Sequence, residues 1–522
     1  MKKQINIGWG RSSIKPDRPV AITGQFYVRI SQGEYQPVTA NALVIENGDD
    51  AVIFVSTDIV GIRNYLLDRV QNHVREMAPD LPVEKIIMNA THTHAGPSPS
   101  KEGAYPSSVD FLRGDDAAEF IAGRVAEAVV QAWKTRAPGK IAFGYGFATV
   151  GHSRRVIYLD DIGQRLDNAA ERAGFSVNGH GKMYGNTDDP MFSHYEAGTD
   201  SFINLLYTFD MNDKLTGAIV NVPCPGQTGE HTWVLHPGFW HNVREKIRAR
   251  HGDIGIIAQC AAAGDLSPRQ LHYKKAELRR YQLKYPELYA KLVANPLPCP
   301  EAFFKDEKEK ASRNEGNMLD MLRAEDIGER VAAAFDEVLS WAQKDKVADP
   351  ELHHEFKTVG LERRMYPEVV YKEELENYKK FMAEDWQKEG DEPWSALRAN
   401  STLNARRGRC KRVIDTYEHQ ENDKTLSTGI HAVRIGDAAF VSNRFELFMD
   451  YMHRIQARSP FVQTFIVQLT ADNGMTGGSY LATERAVANK GYSASPYCNQ
   501  VSPTGGQQLV EDTVEMLKKL HE

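Results

Sequence analysis

Six short, predominantly apolar runs constrain this chain more than any other feature: 51–57, 85–88, 218–222, 254–259, 438–442 and 465–469. They are too short for core helices and lack the alternation of a half-wet strand. Each therefore reads as a strand covered on both faces. Between them, residues 64–77 and 117–135 alternate apolar and charged residues at helical spacing, as crossover helices do. The expected fold class is α/β, with mixed, largely buried sheet layers and flanking helices.

From residue 268 to about 345 the composition turns charged and helix-forming, interrupted by Asn295-Pro296-Leu297-Pro298-Cys299-Pro300. This reads as a helical insertion: a proline-rich turn and then a long helix over 318–341. A second charged helical zone covers 373–387. No internal repeat or low-complexity linker is visible, so residues 1–522 read as one catalytic domain.

A hydrophobic content of 41% with 25% charged residues is that of a folded globular protein. The net charge of -7 offers no basic field for phosphate backbones or anionic lipid headgroups, so nucleic acid is not an expected partner. No apolar stretch approaches the roughly 20 residues needed to span a bilayer. Nor does the N-terminus, which enters a strand-like pattern at once, resemble a signal peptide. The five cysteines are scattered and never form a C-x-x-C pair, as suits reduced thiols. A cytoplasmic protein with a small-molecule substrate and no stable membrane association is expected.

Polar clusters follow the ends of the expected strands, where ligands bind in open α/β sheets. Thr91-His92-Thr93-His94-Ala95-Gly96-Pro97 places two imidazoles two positions apart in extended chain, so both face one side, a geometry suited to a metal or a shared substrate. Ser267, in Gly264-Asp265-Leu266-Ser267-Pro268-Arg269-Gln270, reads two ways. It can cap a helix opening at Pro268 with Gln270 as reciprocal partner, or act as a nucleophile at a helix start. Glu446 follows a strand and opens a helical pattern, where an acid serves the helix dipole or chemistry equally well. Tyr480 alone is an ordinary tyrosine.

Taken together and in order, the segments 91–97, 264–268, 444–448 and 479–484 resemble four motifs of the neutral ceramidase family: T-H-T-H-S-G-P, G-D-V-S-P, P-G-E-F-T-T and H-Y-I-T-T-Y-E. The members of that family are zinc-dependent amidases that hydrolyse the N-acyl bond of ceramide. The resemblance runs from Ile7 to about Ser495. It implies a Zn²⁺ site with His92, Glu446 and Tyr480 as ligands, Ser267 as the serine of the catalytic centre and His94 as its neighbour. Arg154 or Arg155 stands where the family has a substrate-site arginine. Arg154 is assigned to catalysis, and Arg155, Asp265 and Gln227 to substrate binding.

One departure falls inside the ligand set. Where the family has a further zinc histidine in A-I-H-P, this chain reads Pro223-Cys224-Pro225-Gly226-Gln227. His231, His236 or Cys224 can fill the gap, and His236 is preferred because Val234-Leu235-His236-Pro237 belongs to a second histidine-rich loop. No C-terminal β-sandwich domain of the kind seen in full ceramidases is expected. The expected activity is zinc-dependent cleavage of an amide in a small polar molecule rather than ceramide. The alternatives are hydrolysis of an ester, lactone or glycosidic bond, or a catalytically silent metal- or ligand-binding protein.

Overall fold

The computed structural model describes residues 3–99, 105–165, 178–390, 393–471 and 480–522. Two apolar runs are strands with the bounds read from sequence, Ala51–Thr57 and Ala438–Ser442. The others overlap Ile86–Ala90, Leu215–Val222, Gly255–Cys260 and Gln463–Val467, within three residues at the ends where they differ. The amphipathic segments form Asn64–Met77 and Gly114–Lys134. The fold is a mixed α/β one, as the sequence pattern implies.

The chain repeats one pattern three times: three antiparallel strands, a helix, a fourth strand parallel to the third, and a second helix. The first unit is Asn6–Ser13, Thr39–Glu46, Ala51–Thr57, Asn64–Met77, Ile86–Ala90 and Gly114–Lys134. The second is Ala137–Phe147, Phe202–Asp210, Leu215–Val222, Trp240–His251, Gly255–Cys260 and Glu307–Ala342. The third is Leu352–Glu362, Thr425–Ile435, Ala438–Ser442, Met449–Gln456, Gln463–Val467 and Pro503–His521. The first two join into an eight-stranded sheet through the short pairing Asn6↔Pro138 and Ile7↔Ala137, while the third unit forms a four-stranded sheet.

Burial explains why the strand runs are predominantly apolar. One face of every unit contributes to a shared core containing Leu43, Phe54, Leu206, Ile219, Ile257, Phe440 and Phe465. The opposite face lies under the unit's own helices: Val44 and Ile53 under Leu66 and Ile121, Val220 and Ile256 under Val243 and Phe335, Val441 and Ile466 under Met452 and Leu509. Each such side chain contributes about 1.5–3 kcal/mol on burial, so neither face tolerates a polar residue cheaply.

The expected insertion is divided. Lys274–Lys284 and Pro286–Ala294 are short helices, whereas Glu307–Ala342 packs on the sheet of the second unit through Ala324, Val331, Phe335 and Val338. Among the described residues no helix is long and apolar enough to cross a membrane.

The carboxyl ends of the three parallel strands meet. Asn89 Nδ2 donates to Ala258 O at 3.0 Å, Gln468 N to Cys260 O at 3.1 Å, and Ala90 N to Leu469 O at 3.3 Å. The polar segments that follow these strands are thereby delivered to one place.

Candidate active site

A cavity of about 600 Å³ opens at this junction, with His92, His94, Arg154, Gln227, Glu446 and Tyr480 on its wall. His92, the second residue past strand Ile86–Ala90, holds φ at 59°, a left-handed conformation that costs a non-glycine residue energy and clusters at functional sites. Its Nδ1 donates to Val60 O at 2.6 Å. Because a carbonyl can only accept, the neutral ring must present a bare Nε2 to the cavity. Burial pushes the His92 pKa down to about 4, with Glu446 pulling against it, so the ring is neutral at pH 7.

The His92 Nε2 lone pair faces Glu446 Oε2 at 3.5 Å and His94 Nε2 at 3.4 Å. Glu446 and Tyr480 are register partners in a two-residue parallel ladder, so their side chains leave the same face. Gly264 lies against this ladder. A Cβ there would stand 2.3 Å from the Glu446 carbonyl oxygen, which explains the glycine of the 264–268 motif by space alone.

Arg154 ties the wall together. Its Nη2 donates to Gly264 O at 2.9 Å and the Tyr480 phenol oxygen at 3.2 Å, and lies 3.5 Å from Glu446 Oε2; Nη1 donates to Gln227 Oε1 at 3.2 Å. Burial opposes its charge, but Tyr480, Tyr184 and Glu446 more than offset that, and it stays cationic. Burial also raises the Tyr480 phenol far above its usual pKa, against the pull of Arg154.

His94 is held from its other side. Its Nδ1 lies 3.5 Å from Glu230 Oε2 and 3.4 Å from Gln227 Nε2. Burial would raise the Glu230 pKa, but Arg269, at 2.6 Å, and His94 outweigh it and keep the carboxylate ionised. Gly24 (φ +120°) packs on the ring, and a Cβ there would meet His94 Cγ at 2.5 Å.

Several sequence expectations are corrected. His236 does not reach the cavity. Its Nδ1 accepts from Gly238 N at 3.2 Å, so Nε2 carries the proton and donates to Thr232 Oγ1 at 2.9 Å, leaving no lone pair for a metal. Arg155 faces away from Arg154, as neighbours in extended chain do. It forms a buried ion pair with Glu196 at 2.5 Å and donates to Ser493 Oγ at 3.0 Å. Asp265 accepts from Met449 N at 3.1 Å at the start of helix Met449–Gln456, a structural task, and burial raises its pKa to about 6.

Ser267 is not a helix cap. It pairs with His152 in a two-residue ladder, and the next helix begins at Lys274. Nor is it on the cavity wall; it neighbours Tyr184, which is. Of the 479–484 motif, Ser479 lies outside the described residues. Sequence reasoning missed Arg63, Tyr184, Glu230 and Arg269 on the wall. Glu230 stands beside His231, but the resemblance points to a histidine or cysteine, not a carboxylate, for the missing ligand.

Of the implied zinc ligands, His92 and Glu446 fit an ion. Two ligands of a tetrahedral zinc with bonds of about 2.0–2.1 Å stand about 3.4 Å apart, close to the 3.5 Å found. Among the described residues, no three His, Cys, Asp or Glu side chains form a metal-holding group. A third protein donor would therefore be the Tyr480 phenol.

The fold that carries this cavity is that of the neutral ceramidases. The neutral ceramidase of Pseudomonas aeruginosa superposes with a TM-score of 0.61 at 16% identity, over 100% of this chain and 75% of that one. A ceramidase complexed with C2 superposes with a TM-score of 0.59, also at 16% identity, over 99% and 76%. No protein-family model matches the sequence, and no curated protein matches it significantly.

Proposed function

We propose that the chain is a hydrolase that adds water across an acyl C–N bond in a small polar substrate, releasing a carboxylic acid and an amine. The observation that carries this reading is the approach of the His92 Nε2 and Glu446 Oε2 acceptors in a cavity also bounded by Tyr480 and Arg154. Two such acceptors at 3.5 Å call for a cation or a proton between them. A zinc ion held by His92, Glu446 and Tyr480 would polarise the scissile carbonyl and acidify water.

The chain's own groups supply the rest. Glu230, fixed by Arg269, orients His94 so that Nε2 faces the reacting centre. From there it can take a proton from water and return it to the leaving nitrogen. Arg154 places a fixed positive charge beside Tyr480, where negative charge develops on the carbonyl oxygen. A cavity of about 600 Å³ suits a small molecule.

A second reading, ligand binding without turnover, is favoured by the loss of His236 from the ligand set. Product analysis on amide, ester, lactone and glycoside libraries decides. Amine release from N-acyl compounds, abolished by His92→Ala, supports the proposal, and cleavage confined to the other bonds or no turnover at all refutes it.

A further inference from the structure

Two arginines on the cavity wall are opposed by carboxylates. Arg154 faces Glu446, and Arg269 faces Glu230 and Asp320. The Arg63 guanidinium lines the same cavity, yet among the described residues no hydrogen bond or ion pair engages it. Beyond the phenol of Tyr65, the charges that act on it most strongly are another cation, Arg412, and the already opposed Glu446. Burial depresses its pKa.

Its position compounds the cost. Arg63 is the residue preceding helix Asn64–Met77, whose start has no side-chain cap and no acid in its first turn. The first amides of that helix carry partial positive charge, which repels a cation and attracts an anion. A partly desolvated guanidinium at the positive end of a helix without a counter-ion destabilises the free protein, unless something anionic arrives.

We propose that Arg63 anchors a carboxylate of the substrate, so that the molecule cleaved is an N-acylated amino acid or a close analogue. The class follows from the charge balance. One unopposed guanidinium calls for a monoanion, and its planar fork matches a carboxylate with two parallel hydrogen bonds, whereas a phosphate dianion would leave charge unmatched. An uncharged N-acyl lipid offers Arg63 nothing. The inference rests on the amide-hydrolase reading for the scissile bond, but the anion site itself does not.

The test compares N-acetyl-leucine with N-acetyl-leucinamide, the same molecule with and without the carboxylate, by ligand-observed NMR titration. The wild type is expected to bind the carboxylate at least about tenfold more tightly. Arg63→Gln removes that preference and Arg63→Lys keeps part of it. The melting temperature of Arg63→Gln should not fall, since the side chain is bonded to nothing, so lost preference cannot be put down to misfolding. Equal binding of the two ligands by the wild type, no binding of either, or an undiminished preference in Arg63→Gln overturns the proposal. Absence of amine release with the preference intact supports the anion site and refutes the hydrolase reading; amine release without any preference does the reverse.

Discussion

Two pairs of buried histidines, set in different parts of the molecule, show what separates a site from a structural contact. His354 and His431 lie between the first and third units, with ring centroids 5.1 Å apart; His92 and His94 are 5.0 Å apart. The first pair is closed. His354 Nδ1 donates to Ala51 O at 3.0 Å, so its Nε2 accepts from His431 Nδ1 at 2.9 Å, and every proton has a place. The second pair is open. His92 spends its proton on Val60 O and turns a bare nitrogen toward His94 and Glu446. Burial, proximity and a bordering cavity are common to both, so the distinguishing feature is that His92 Nε2 faces another acceptor, Glu446 Oε2, whereas His354 Nε2 faces a donor.

The largest expected effect follows directly. His92→Ala should lower kcat/KM for any working substrate on the order of a thousandfold, with little change in melting temperature. His431→Ala should do the opposite: unchanged kcat/KM, and about 1–3 kcal/mol lost in denaturant unfolding because His354 Nε2 is left without its donor. Matching phenotypes for the two variants would erase the distinction.

The next effect is on pH dependence. Burial lowers the His354 pKa to about 4 and holds His431 well below the ordinary value of 6.5. Both bind protons more readily when unfolded, so their contribution is complete above about pH 6.5 and is lost as pH falls from there toward 4. Stability measured across that window should decline with acid, and His431→Ala should flatten the slope. An unchanged slope would assign the acid sensitivity to other histidines.

Smaller effects sharpen the open pair. Gly24→Ala forces a Cβ against His94 in a backbone conformation that L residues avoid, and should cost about tenfold in kcat at unchanged fold. Ser267→Ala should cost less than about tenfold, because the hydroxyl does not line the cavity. A loss on the scale of His92→Ala would return Ser267 to the reacting centre.

Much of the fold was legible because strands buried on both faces leave predominantly apolar runs, as at Ala51–Thr57 and Ala438–Ser442. His92, Glu446 and Tyr480 were legible as the ordered motifs of a resemblance; alternation in extended chain implies that Arg154 and Arg155 face opposite sides, but which of them reaches the cavity is set by contacts with Gln227, Tyr480 and Glu196 that no spacing reveals. The threefold pattern was not legible, because the units share connectivity and burial rather than particular side chains. His236 misled because its tautomer is set by Gly238 N and Thr232, contacts that no spacing reveals. Arg63 and Glu230 lacked any motif, and only the meeting of different strand ends brings them to one wall.

The most direct test of the open-pair account is zinc uptake by the purified, metal-stripped protein, followed by calorimetry and metal analysis after dialysis. The account predicts about one equivalent per chain in the wild type and in His431→Ala, and none in His92→Ala. No uptake by the wild type, or full uptake by His92→Ala, would contradict it.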